Sequence, residues 1–143
     1  MPGIVVGFDS SDHSRQALDW AVRHAALEHI PLTVLAVHDV TTNAWTGNPV
    51  IYPEDRPAEE KARQAAQEAV EKTLSQLGDA RPESVTVRGV SGQPARVLIE
   101  ASQDADMVVV GSHGIGGYAV VPIGSVSAKV VNHAACPVVI IRH

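Results

Sequence analysis

Residue type and spacing suit a defined chemistry, the holding of an anion, in the stretch Gly111-Ser112-His113-Gly114-Ile115-Gly116-Gly117-Tyr118-Ala119-Val120-Val121-Pro122-Ile123-Gly124-Ser125-Val126-Ser127. It follows an apolar run, Met107 to Val110, that reads as a strand, and it ends where helical character begins near Ser125. Residues without a Cβ let backbone N–H groups approach an anion closely, and a helix starting near Ser125 adds its first amides and the positive end of its dipole. Ser125 and Ser127 bring hydroxyl donors. The same glycines also suit a tight turn, and Ser125 an N-cap, without any ligand.

Other phosphate-binding and catalytic patterns fail on the same residues. No Gly-x-x-x-x-Gly-Lys-[Ser/Thr] occurs, so the lysine-based phosphate loop is absent. Gly114-Ile115-Gly116-Gly117-Tyr118-Ala119 has the letters of a dinucleotide fingerprint, but Pro122 interrupts the helix that should follow. No acidic residue follows it to hold a ribose, because neither Asp nor Glu occurs after Asp106. No Gly-x-Ser-x-Gly elbow exists, and nothing in the spacing pairs His113 or His133 with a nucleophile. His38-Asp39 is explained by a histidine at the rim of a strand end. Cys136 is the only cysteine, which excludes an internal disulfide and a cysteine-based zinc site and leaves a small apolar side chain.

Charge narrows the ligand. The net charge of −5 and pI of about 5.7 argue against nucleic-acid backbone or an anionic membrane as a partner. Beyond Asp106 the only ionisable charges of note are Lys129, Arg142, His113, His133 and His143, so a small anion meets least repulsion in the last third of the chain. No basic leader precedes an apolar segment and no run reaches membrane-spanning length, so the expectation is a cytoplasmic protein.

The elements that must position these residues follow from hydrophobic period. A length of 143 residues suits one domain, and an apolar share of 45% with only 3% aromatics implies a core of Val, Ile, Leu and Ala. Gly3 to Phe8 is a short buried strand closed by the capping residues Asp9-Ser10-Ser11-Asp12. A helix from about Ser14 to Glu28 buries Leu18, Ala21, Val22 and Ala25, and Pro31 forbids its continuation. Leu32 to Val37 returns to strand character, and Asp39 to Asp55 is a long polar connection. A second helix with Pro57 in its first turn carries a stripe of Ala62, Ala65, Ala66, Ala69, Val70, Leu74 and Leu77 until Gly78 ends it. Val85, Val87 and Val90 mark a half-exposed third strand. Pro94 to Ser102 forms a short helix, Met107 to Val110 a fourth strand, about Ser125 to Asn132 a last helix and Val138 to Ile141 a fifth strand.

Strands alternating with helices demand right-handed crossovers, hence a Rossmann-like α/β fold, a five-stranded parallel sheet with helices on both faces. Ligands of such sheets bind beyond the carboxyl ends of the strands where strand order reverses, which selects the loops after strands one and four, holding Asp9 and Gly111.

The spacing Gly, two residues, Gly, nine residues, Gly, Ser is met by Gly111, Gly114, Gly124 and Ser125, and it resembles that of the universal stress protein family. The similarity extends over 1–143, since Ile4-Val5-Val6-Gly7-Phe8-Asp9 looks like the family's first strand with its terminal Asp, and Ala134-Ala135-Cys136-Pro137-Val138-Val139-Ile140-Ile141-Arg142 like its ending. The resemblance implies ATP as ligand, with Mg²⁺ as an admissible companion. It implies Asp9 toward the ribose, the backbone at Val37 toward adenine, and Gly111, Ser112, His113, Gly114, Gly124, Ser125, Val126 and Ser127 around ribose and phosphates. It also implies a homodimer through Val138 to Ile141. Asp9 equally suits a helix cap, and His113 a solvent-facing loop. Two positions depart from the family: its usual Asp-Gly-Ser is here Asp9-Ser10-Ser11, and its frequent basic residue after Gly-Ser is His113, whose charge titrates. Three functions stay open: an ATP-binding regulatory module of the stress response, a slow ATP hydrolase or phosphoryl-transfer enzyme, and a dimeric interaction protein that uses no nucleotide.

Overall fold

The computed structural model describes residues 3–113 and 123–142. Its elements are β1 (Ile4–Phe8), α1 (Asp12–Glu28), β2 (Leu32–Asp39), α2 (Asp55–Gln76), β3 (Val85–Gly92), α3 (Pro94–Ser102), β4 (Met107–Gly111), α4 (Ser125–His133) and β5 (Val138–Ile141). The strands form one parallel sheet in the order β3-β2-β1-β4-β5.

That order explains the two layers. From the central β1 the chain moves outward one way to β2 and β3, then returns past β1 to β4 and β5. Right-handed crossovers therefore put α1 and α2 on one face and α3 and α4 on the other. Alternate strand residues divide accordingly. Ile4, Val6, Phe8, Val34, Ala36 and Val109 pack with α1 and α2, whereas Val5, Leu35, Val108 and Val110 pack with α3 and α4. A strand buried on both sides must be apolar at every position, which is why β1 and β4 appear in the sequence as unbroken runs.

The face expected for α1 is the one found, with Leu18, Ala21, Val22 and Ala25 fully buried and joined by Ala17. Its start lies earlier than Ser14. Ser11 is the N-cap, its hydroxyl accepting from the Ser14 N–H at 3.2 Å, so the helix takes in Asp12 and His13. It ends on His29 in the left-handed conformation at φ 53°, before Pro31 is reached. α2 begins at Asp55 and stops at Gln76. Leu77 closes it with an N–H bond to the Leu74 carbonyl, and Gly78 takes no left-handed turn, which corrects the expectation that this glycine ends the helix. The α2 stripe also buries Thr73, whose hydroxyl donates to Asp19 Oδ1 at 2.9 Å and ties α2 to α1.

The connection between β2 and α2 is folded on itself. Thr42 and Pro49 form an antiparallel bridge, Asn43 Oδ1 accepts from the N–H groups of Trp45 and Thr46, and Gly47 turns at φ 72°. His38 at the end of β2 holds its far end, with Nε2 3.0 Å from Asp55 Oδ1, while the other carboxylate oxygen accepts the Tyr52 N–H at 2.7 Å. These contacts hold the Asp55 carboxyl below the ordinary range, the Tyr52 N–H first and His38 second. Cys136 is half-buried, and burial raises its thiol pKa, consistent with an inert side chain.

Candidate functional site

β1 and β4 are neighbours that leave the sheet's centre in opposite senses, so the loops after them part and open a crevice at their carboxyl ends. A small, half-open cleft of about 80 Å³ occupies that position. β1 supplies Gly7, Phe8 and the following Asp9, β2 supplies Val37, β4 supplies Val110 and Gly111, and α4 supplies Val126 and Ser127. His113 closes one side, and Pro94 and Leu98 of α3 form an apolar floor. β2 reaches further than β1. Phe8 pairs with Ala36, and Val37 lies one residue beyond, with its backbone paired to Val90 on the other side.

Of the residues singled out by sequence, Asp9, Val37, Gly111, His113, Val126 and Ser127 meet in this cleft. Gly124 is the N-cap of α4, its N–H donating to the Ser112 carbonyl at 2.6 Å, so the strand-end turn and the helix start are joined directly. Ser125 lies on the neighbouring groove between α3 and α4, with Lys129 and His133 one and two helical turns on. Gly114 lies outside the described residues.

Two of the hydroxyls expected to serve a ligand serve the protein. Ser127 donates to the Gly111 carbonyl at 2.5 Å, latching α4 onto the end of β4. Ser112 is buried at 4% exposure, with its Oγ 3.2 Å from His13 Nδ1 and 3.3 Å from His113 Nδ1. Asp9 Oδ1 accepts the Ser11 N–H at 2.9 Å, and Ser14 Oγ accepts the Asp9 N–H, so the carboxylate is held against the first turn of α1 while Ser11 does the capping. Between them Ser10 takes φ 69°, a left-handed conformation in which a glycine carries no steric cost.

Gly111 has a packing reason of its own. A Cβ there would stand 2.7 Å from the carbonyl carbon and oxygen of His13, so strand and helix approach at backbone distance. His13, Ser14, Pro94 and Leu98 were not indicated by the sequence. The α3 pair could have been anticipated from the crossover that puts this helix beside the reversal point, but His13 looks only like a residue in a helix's first turn.

A cleft with apolar walls, a fixed carboxylate at one edge and a helix N-terminus at the other can take a flat apolar group carrying hydroxyls and an anion. A glycine-looped site at the reversal point of a β3-β2-β1-β4-β5 sheet defines a class of α/β proteins, and comparison with known proteins gives the family. The universal stress protein family matches residues 2–142, and the chain belongs to it. A universal stress protein of Mycobacterium tuberculosis is 40% identical over 142 residues, covering 98% of this chain and 48% of the relative. The chain thus spans about half the length of the curated relatives it matches. Among solved structures, a universal stress protein in complex with cAMP is 26% identical with a TM-score of 0.65, covering 99% of this chain and 96% of the other. One from Archaeoglobus fulgidus in complex with dAMP is 25% identical with a TM-score of 0.62, covering 99% and 97%. Among the described residues no helix is long and apolar enough to cross a membrane.

Proposed function

We propose that this chain is an adenine-nucleotide-binding module whose ligand is ATP, with Mg²⁺ as its companion ion, and that occupancy regulates its partners in the stress response. The observation that carries the reading is the meeting of Asp9, Val37 and the α4 N-terminus around one cleft. Adenine would lie against Val37 and the α3 side chains, the Asp9 carboxylate would accept from ribose hydroxyls, and the first amides of α4 that follow Gly124 would donate to phosphate. The relatives solved with cAMP and dAMP support an adenine nucleotide as the common element. The chain acts as a homodimer through β5, whose outer edge has no strand beside it among the described residues.

Calorimetry of ATP, GTP and adenosine binding tests this. ATP and adenosine should bind and GTP should bind far more weakly. Gly124→Val should remain folded and lose ATP, because a branched side chain would stand between helix terminus and phosphate. Micromolar affinity corresponds to about −8 kcal/mol, and three or four charge-assisted donors at roughly 1.5 to 3 kcal/mol each account for it. A folded Gly124→Val protein with wild-type ATP affinity removes the phosphate assignment.

A further inference from the structure

We propose that the groove between α3 and α4 takes the phosphates that follow the first in a nucleoside polyphosphate, and that Lys129 is the residue by which this chain tells a triphosphate from a monophosphate. The proposal rests on the nucleotide reading given above and adds to it a second compartment and a residue outside the glycine spacing.

The cleft cannot hold such a ligand alone. Its volume is about 80 Å³, whereas small-molecule pockets run to about 300–1,000 Å³. The groove beside it measures about 560 Å³, and Pro94 and Val126 line both. The two spaces therefore adjoin at the first turns of α3 and α4, and a ligand that outgrows the cleft on this side enters the groove.

α4 sets the direction of travel. Ser125, Lys129 and His133 line the groove at four-residue steps, so each lies about one helical turn, or roughly 5–6 Å, beyond the last. A helical side chain leans toward the N-terminus of its helix, so a lysine at 129 can lay its methylenes over the turn of Ser125 and bring its ammonium to the Val126 end of the groove. A chain whose first phosphate meets the α4 amides in the cleft then brings its last to Lys129. His133, a further turn away, stays beyond a triphosphate.

The other charges of the groove leave this role to Lys129. Arg96 Nε donates to Glu100 Oε1 at 3.1 Å and its Nη1 donates to the Gly47 carbonyl, so guanidinium and carboxylate answer each other. Asp39 is exposed at the end of β2 and repels an anion from that wall. Lys129 is exposed and enters no ion pair among the described residues. An ammonium with no carboxylate of its own gives up no bridge when it binds phosphate. Its attraction is that of an exposed pair, modest and screened by salt.

Calorimetry of AMP, ADP and ATP at low salt, with Mg²⁺ held constant, tests the assignment. Lys129→Met should weaken ATP about five-fold and leave AMP within about two-fold of wild type, and Lys129→Arg should restore the wild-type ratio of ATP to AMP affinity. Lys72→Met removes the same charge from an exposed position on α2 and should change neither affinity. A wild-type ratio in Lys129→Met, an equal loss of AMP and ATP, or the same loss in Lys72→Met overturns the proposal. Failure of wild type to bind any of the three overturns the nucleotide reading instead, and inorganic tripolyphosphate then decides the groove. Lys129→Met should weaken its binding about five-fold; equal binding by both proteins, or none by either, overturns the proposal.

Discussion

Ser10→Gly should stabilise the protein. Ser10 lies between the cleft carboxylate and the cap of α1 at φ 69°, where an L-residue's Cβ crowds the backbone at a cost of about 1–2 kcal/mol. Its side chain is exposed, and its carbonyl accepts from Arg15 Nε at 3.3 Å, a bond that glycine keeps. Against this stands the greater freedom of glycine in the unfolded chain, roughly 0.5–1 kcal/mol. The difference is a net gain of about 0.5–1 kcal/mol, which for a chain of this length is a rise in Tm of about 2–3 °C. Ser10→Val, with a β-branched side chain in the same conformation, should instead lose more than about 1 kcal/mol. Urea unfolding followed by circular dichroism gives both values, and a common m-value would confirm that the unfolded state has not changed. A neutral or destabilising Ser10→Gly together with an indifferent Ser10→Val would show that the turn relaxes without strain. The family's usual Asp-Gly-Ser would then have to be explained by the ligand rather than by the backbone.

Gly111→Ala should destabilise by about 1–3 kcal/mol in the same assay, because its Cβ would press on the backbone of His13 rather than on a movable side chain. The wild type should sediment as a dimer at micromolar concentration. Val139→Lys and Ile141→Lys, which also lean on the chain's own core, should give less stable monomers; a monomeric wild type refutes the β5 interface. Asp55 has its carboxyl pKa lowered in the folded state, so it stabilises above the unfolded carboxylate value of about 3.9 and that contribution is lost as pH falls through the folded value. Asp55→Asn should therefore lower the urea midpoint at about pH 6, with an offset that shrinks as pH falls below the unfolded carboxylate value; an offset that does not change with pH would mean that ionisation is not involved.

What could be read from the sequence, and what could not, divides along a physical line. The strands and the buried face of α1 were legible because burial on two sides or along one helical stripe leaves a periodic trace in residue type, as in Ile4-Val5-Val6 or Leu18, Ala21, Val22 and Ala25. The reversal point followed from the order of elements alone, and with it the company of Asp9 and Gly111. His13 was not legible, because its partner Ser112 lies 99 positions away and the contact depends on how closely α1 approaches β4. Helix ends were legible where a proline or glycine marks the boundary: α3 runs over Pro94–Ser102 and α1 ends at Glu28 as read, whereas the start of α1 lies earlier than Ser14 because Ser11, one of several capping residues in a row, is the one that caps it.

Spacing also cannot count protons. Ser127 and Ser112 stand where a phosphate-binding serine is expected, yet the hydrogen of Ser127 is committed to Gly111, and Ser112 is occupied between two imidazoles. The consequence reaches the glycine pattern itself. Gly111 is required by the approach of β4 to His13 whether or not anything occupies the cleft. A chain of this fold that had ceased to bind nucleotide would therefore still need glycine at that position. Stability at Gly111 and affinity at Gly124 are separate quantities, and under the proposed nucleotide reading it is the second, together with substitutions of Asp9 in the cleft, that tests nucleotide use.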